Sequence, residues 1–174
     1  MYSNNFNIEK LSLNHVQFRL DYYSSNKDHL ERWHPTTPNG FYTFKYQEKK
    51  INEQLKLVDN GESAQFVIIN KTNTQMLGHC NYTKIKDSKC WLGYSISTEF
   101  EGKSVMYEAL ELTSAYVMKN LKIKEIRAGI LPENQRSIRL IKRLRFVYVG
   151  EKDELEINGE TRAYEKYLMK NTPV

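Results

Sequence analysis

The stretch from Trp91 to Leu110, WLGYSISTEFEGKSVMYEAL, holds the residues best spaced for chemistry. Trp91, Leu92, Tyr94 and Ile96 have strand character, the pattern breaks from Glu99 to Gly102, and a helical pattern follows. A strand that turns on a glycine into a helix leaves several backbone N–H groups free at the helix N-terminus. Those amides and the helix dipole both favour a phosphate there. An ordinary strand-to-helix connection has the same pattern, so this segment alone leaves both readings open. A second segment, Pro132 to Phe146, reads PENQRSIRLIKRLRF: a strand end, an Asn, a short basic amphipathic helix and a Phe.

Together the two segments resemble the GNAT superfamily of acyl-CoA-dependent N-acetyltransferases, and more closely its ribosomal-protein N-terminal acetyltransferase branch, the Rim type. Asn26 to Pro35, NKDHLERWHP, is similar to the Asn-x-x-x-Leu-x-x-Trp-x-Pro motif of that branch, and EINGETRAYEKYLM is similar to its closing hairpin. The resemblance is patchy before Ala64 and dense after Gly78. It implies an α/β (α+β) fold over residues 1–174 as one domain, a mixed and mostly antiparallel sheet flanked by helices. It also implies acetyl transfer from acetyl-CoA to a primary amine by direct attack in a ternary complex, without a metal. The favoured acceptor is a protein N-terminus of the ribosomal-protein-alanine kind. Small amines such as polyamines or amino sugars are the alternative, as is a CoA-binding protein with weakened catalysis.

Residue by residue, the resemblance assigns the pantetheine arm to the backbone of Tyr94, Ser95 and Ile96, with the amide near Ile96 as donor to the carbonyl oxygen. The pyrophosphate turn, Gln/Arg-x-x-Gly-x-Gly/Ala in the family, falls on Glu101, Gly102, Lys103, Ser104, Val105 and Met106. Glu101, Ser104 and Met106 depart from it: an anion for Gln or Arg, a hydroxyl where Gly permits close approach, and Met for a small residue. Asn134 is expected to contact pantetheine, to cap its helix, or both. Arg139 of the basic helix is assigned to the cofactor. The Tyr that many members use as the acid corresponds to Ile141, and the Ser used in the Rim-type branch is Ser137. Ser137 also reads as a helix-surface Ser bonded to its own backbone. Glu108, Glu154 and Glu156 are candidate bases, with ordered water as an equal alternative. Arg145 stands where the family has a left-handed Gly. Trp33, with Tyr22, Tyr23, Phe41 and Tyr42, either lines the acceptor site or packs the core.

Charge is concentrated. Between Lys122 and Arg145 lie eight cations and two anions, a local +6 against +5 for the whole chain, so the rest carries −1. A solvated helix face and a nucleic-acid footprint both fit such a run. No nucleic-acid module or paired aromatics accompany it, and a polyanionic cofactor end such as that of CoA fits best; direct nucleic-acid binding is not expected. The four His residues and Cys80 and Cys90 have no metal-ligand spacing. No apolar run approaches the roughly 20 residues of a membrane span, and MYSNNFNIEK lacks the features of a signal peptide. The cytosol is the expected compartment, with a monomer or homodimer there.

The elements that position these residues follow from periodicity. Phe6 to Leu11 reads as a strand, and Asn14 to Ser24 and Lys27 to Trp33 as short helices. A loop covers His34 to Gly40, and a helix capped by Thr43 ends at Asn60-Gly61. Ala64 to Asn70, Met76 to Lys86 and Cys90 to Ser97 form a meander that turns at Asp87-Ser88. This register sets Cys80 opposite Ser95, against a disulfide. The helix from Lys103 to Lys122 is expected to bury Ala109, Leu112, Tyr116, Val117 and Leu121. Glu125 to Ile130 is a strand that splays from Cys90 to Ser97. Gln135 to Leu144 is a helix, and Phe146 to Glu156 pairs with Glu160 to Met169 through Asn158-Gly159.

Overall fold

The computed structural model describes residues 3, 5–33, 37–157 and 159–170. Strands β1 (Phe6–Lys10), β2 (Ala64–Asn70), β3 (Met76–Lys86), β4 (Lys89–Ile96), β5 (Glu125–Ile130), β6 (Val147–Ile157) and β7 (Glu160–Lys170) form one sheet in the order β1-β2-β3-β4-β5-β7-β6. The helices are α1 (Val16–Ser25), α2 (Lys27–Leu30), α3 (Phe44–Asp59), α4 (Val105–Asn120) and α5 (Gln135–Arg143). The entry motif's His34 and Pro35, and the hairpin's Asn158, lie outside the described residues.

Alternation along the strands divides the core between the two faces of the sheet. Val67, Ile69 and Met76 pack with Tyr22, Tyr23 and Ile51 on the side of α1 and α3. Phe66, Ile68, Cys80 and Tyr82 pack with Ala109 and Leu110 of α4 and Ile138 and Ile141 of α5 on the other. Thr43 caps α3 by accepting from the Tyr46 amide at 3.3 Å, and the helix stops at Gly61, φ +74°.

One seam matters most. β4 and β5 are parallel and pair only where Lys89–Trp91 faces Glu125–Arg127. Beyond it they diverge, so Leu92 to Ile96 pair with β3 on one side alone. At the far end of this segment Gly78 of β3 is required: a Cβ there would lie 2.4 Å from the Ser95 carbonyl oxygen.

Two expectations need correction. Cys80 lies opposite Tyr94, and it is His79 that faces Ser95. The Asp87-Ser88 turn is as expected, both residues left-handed at φ 51° and 58°, as a two-residue hairpin of this kind requires. A bulge after Thr83, with Lys84 at φ 52°, slips the ladder by one residue. Both cysteines are still free and buried, and burial pushes each thiol up to about 12. Leu121, just past α4, is exposed, and Leu112 and Tyr116 on it are half-buried. Thr113 and Ser114 take the buried positions instead, because the Tyr82 hydroxyl bonds both, at 2.8 and 2.9 Å.

Candidate active site

Divergence of β4 from β5 opens a cavity of about 810 Å³ between β4, the N-terminus of α4, α5 and the α2 region. That volume suits a ligand of cofactor size. Its lining includes Tyr94, Ser95 and Ile96 of β4, the turn residues Glu101, Gly102, Ser104, Val105 and Met106, Asn134, Ser137 and Arg139 around α5, and Trp33. Lys103 alone of the residues expected to hold the cofactor is absent from it; its ammonium lies over the Phe100 ring at 5.1 Å.

Local sequence explains the turn. Gly102 sits at φ +73° and Ser104 at φ +59°. Thus the position where the family pattern has Gly is left-handed, and Ser bears that cost here. Ser104 makes no side-chain cap, so the first amides of α4 meet the cavity without an internal acceptor from it. Glu101 does not stand as a lone anion: its carboxylate is bonded by the Arg136 guanidinium and lies 3.4 Å from His29 Nε2. Arg136, Arg139 and Arg143, three or four residues apart and so on one face of α5, all border the cavity. Arg143 stacks 3.8 Å from the Tyr107 ring. Arg136, Arg143 and His29 were not singled out as site residues from sequence. The i, i+3, i+7 spacing of the three arginines could have identified two of them; nothing local points to His29.

On α5, Asn134 caps the helix through Oδ1, which accepts from the Ser137 amide at 3.1 Å. Its amide NH₂ remains a donor beside the cavity. The Ser137 hydroxyl lies 2.5 Å from the Tyr94 hydroxyl, a contact that bridges the two diverging walls. Burial raises the Tyr94 pKa, offset in part by Ser137, so Tyr94 stays protonated and can donate. Arg145, φ 67°, ends α5 in the left-handed conformation; its amide and that of Phe146 bond Lys142 and Ile141 carbonyls, both at 3.0 Å, a Schellman closure.

The aromatic group separates. Trp33 borders the cavity, whereas Tyr22 and Tyr23 are buried core, with Phe41 and Tyr42 packed beside them. Of the candidate bases, Glu108 accepts from the Ser3 hydroxyl at 2.8 Å, and Glu154 and Glu156 are exposed on β6; none of the three borders the cavity. Among the described residues no group of three or more His, Cys, Asp or Glu is placed to hold a metal, and no helix is long and apolar enough to cross a membrane.

A diverging pair of parallel strands, uncapped amides opening a helix, and arginines facing them define an acyl-CoA-dependent transferase. The model of the Acetyltransferase (GNAT) domain matches residues 8–147, and the chain belongs to that family. The [Ribosomal protein uS5]-alanine N-acetyltransferase of Escherichia coli (strain K12) is 32% identical over 149 residues, 82% of this chain and 75% of the relative. The crystal structure of the ribosomal-protein-S5-alanine acetyltransferase from Vibrio fischeri superposes with a TM-score of 0.93 at 23% identity, covering 98% of this chain and 96% of that one. RimL, a ribosomal L7/L12 α-N-protein acetyltransferase solved with coenzyme A, superposes with a TM-score of 0.88 at 18% identity, covering 97% and 95%. The protein is an N-acetyltransferase, and acetyl-CoA is its donor.

Proposed function

We propose that the chain, as one domain of the cytosol, acetylates the α-amino group of a protein N-terminus of the ribosomal-protein-alanine type. The observation that carries this reading is the uS5-alanine relative, 32% identical across 82% of the chain. The acceptor side supports it. Arg162 of β7 is ion-paired to Glu133 and donates to the Arg32 carbonyl at 3.5 Å. The closing hairpin is thereby tied to the segment that carries Trp33, which borders the cavity.

In this reading acetyl-CoA supplies an activated acyl group, and the protein supplies alignment and charge. The amides of Gly102 to Met106 and the arginines of α5 hold the phosphates. The open edge of β4 from Leu92 to Ile96 pairs with the pantetheine arm as a further strand would, with Asn134 donating to its amide. The Ile96 amide polarises the carbonyl oxygen. Ser137, backed by Tyr94, donates a hydrogen bond to the departing thiolate; a serine is far less acidic than a thiol, so it relays rather than titrates.

Turnover of acetyl-CoA against peptides beginning with Ala, Ser or Met, and against spermine and glucosamine, tests the acceptor. The Ala peptide should give the highest kcat/KM, with the acetyl group on the α-nitrogen by mass spectrometry. A preference for spermine or glucosamine overturns the reading.

A further inference from the structure

Strand alternation turns neighbouring residues of β4 to opposite faces. Tyr94 points to α5 and Ser137, while Ser95 points to α1, where a second set of hydroxyls is buried. The Ser95 hydroxyl lies 2.8 Å from His79 Nε2 and 2.8 Å from the Tyr22 hydroxyl. The Tyr23 hydroxyl is 3.3 Å from the same imidazole nitrogen. Ser95 and Tyr22 are 8% and 3% exposed and His79 is 9%, yet Ser95 also borders the cavity beside Ile96. Burial raises the Tyr22 pKa, so Tyr22 is a fixed donor. With His79 in its Nδ1–H tautomer, Tyr22 donates to Ser95 and Ser95 donates to Nε2. The second lone pair of the serine oxygen remains for a proton that arrives from the cavity.

We propose that Ser95 takes the proton from the attacking amine and passes its own to His79, so that β4 carries the two halves of the proton traffic on its two faces. This rests on the acetyl-transfer reading of the site and names the base that the reading lacks. The nitrogen forms its bond to the acyl carbon as the carbon–sulfur bond breaks. Before this attack the extra proton of the bound ammonium goes to the Ser95 oxygen while the serine proton goes to His79 Nε2. The N–H proton shed in the attack passes through the Ser137–Tyr94 pair to the thiolate, and His79 returns its proton to solvent. Ser95 is the catalytic residue; His79 acts only through it and is a positioning residue that holds the proton. Around the ring, α1 supplies Tyr22, Tyr23 and Arg19, whose guanidinium lies 5.5 Å from the Tyr23 ring. Gln54 of α3 holds Arg19 at 2.5 Å, and β4 supplies Ser95.

The test compares propylamine, which is protonated at neutral pH, with trifluoroethylamine, which is neutral there, and adds the Ala-initiated peptide. In the wild type, kcat for propylamine should fall on the acid side, where an imidazole already protonated cannot take the serine proton. His79→Gln and Ser95→Ala should each lower kcat for propylamine by about 10²-fold or more, the scale of a general base, while trifluoroethylamine changes by less than about threefold. The acid limb should vanish in His79→Gln, and CoA affinity in both variants should match the wild type at a temperature where circular dichroism shows each to be folded. Equal losses on both amines, or an acid limb retained in an active His79→Gln enzyme, overturn the relay. Wild-type turnover of propylamine but not of the peptide overturns only the peptide acceptor, and absence of turnover with every amine overturns both.

Discussion

Glu101 is the departure from the family pattern with the clearest electrostatic consequence. It places a carboxylate, 20% exposed, at the cavity proposed for the cofactor, where Arg136 and His29 engage it. A guanidinium bonded to Glu101 on one edge and to a phosphate on the other would hold the two anions about 7 Å apart, each unit-charge pair repelling by about 0.6 kcal/mol at the dielectric constant of water. The two charges of a pyrophosphate make this about 1.2 kcal/mol, which screening at physiological salt cuts to about 0.5 kcal/mol. Glu101→Gln should therefore tighten CoA binding about twofold at 150 mM salt and by less than about tenfold at low salt. Titration calorimetry with CoA at the two ionic strengths measures this. Weaker binding in the variant would mean that Glu101 serves by aiming Arg136 at the phosphate, and equal affinity at low salt would mean that no phosphate comes near it; either result refutes the electrostatic reasoning.

Gly102→Pro should abolish the thermal protection that CoA gives, because proline cannot adopt φ +73° and removes an amide donor; equal CoA-induced shifts in both proteins would discard the turn as the phosphate site. Ser137→Ala should lower kcat by roughly 10- to 1,000-fold with acetyl-CoA affinity barely changed, and wild-type turnover would reduce Ser137 to a helix residue. Arg145→Gly should relieve a left-handed non-Gly residue of about 1 kcal/mol and raise Tm by about 2–4 °C for a chain of this size; a lower Tm in calorimetry would show that the side chain repays its strain.

Much of the cavity lining was legible because it is local. The strand, the Gly102 turn and α4 are contiguous, and Asn134 and Ser137 are one helical turn apart, so spacing alone brings them to one place. The Tyr94–Ser137 and Ser95–His79 hydroxyl contacts span 43 and 16 positions, and no periodicity reports such meetings. Lys84 caused the register error, since a left-handed Lys leaves no trace that a Gly or Asn would have left. Thr113 and Ser114 were passed over for the core because their burial depends on one hydroxyl from Tyr82, on another element. Glu101 was read as an opposing charge because its neutralising partners sit on α2 and α5.

The place of β7 has a consequence for how the chain is made. It is the last strand in sequence among the described residues, yet it lies between β5 and β6, pairing Glu125–Ile130 on one side and most of β6 on the other. A growing chain can assemble β1 to β4 with their helices while still attached to the ribosome, but β5 keeps an open edge until the residues up to Lys170 have emerged. The wall of the site that carries α5 is therefore completed only after β7 has emerged. Until then two unpaired strand edges of the same polypeptide are exposed to neighbours. Premature termination within β7 should thus cost the enzyme more than its few missing residues suggest, because it unseats β6 together with β5.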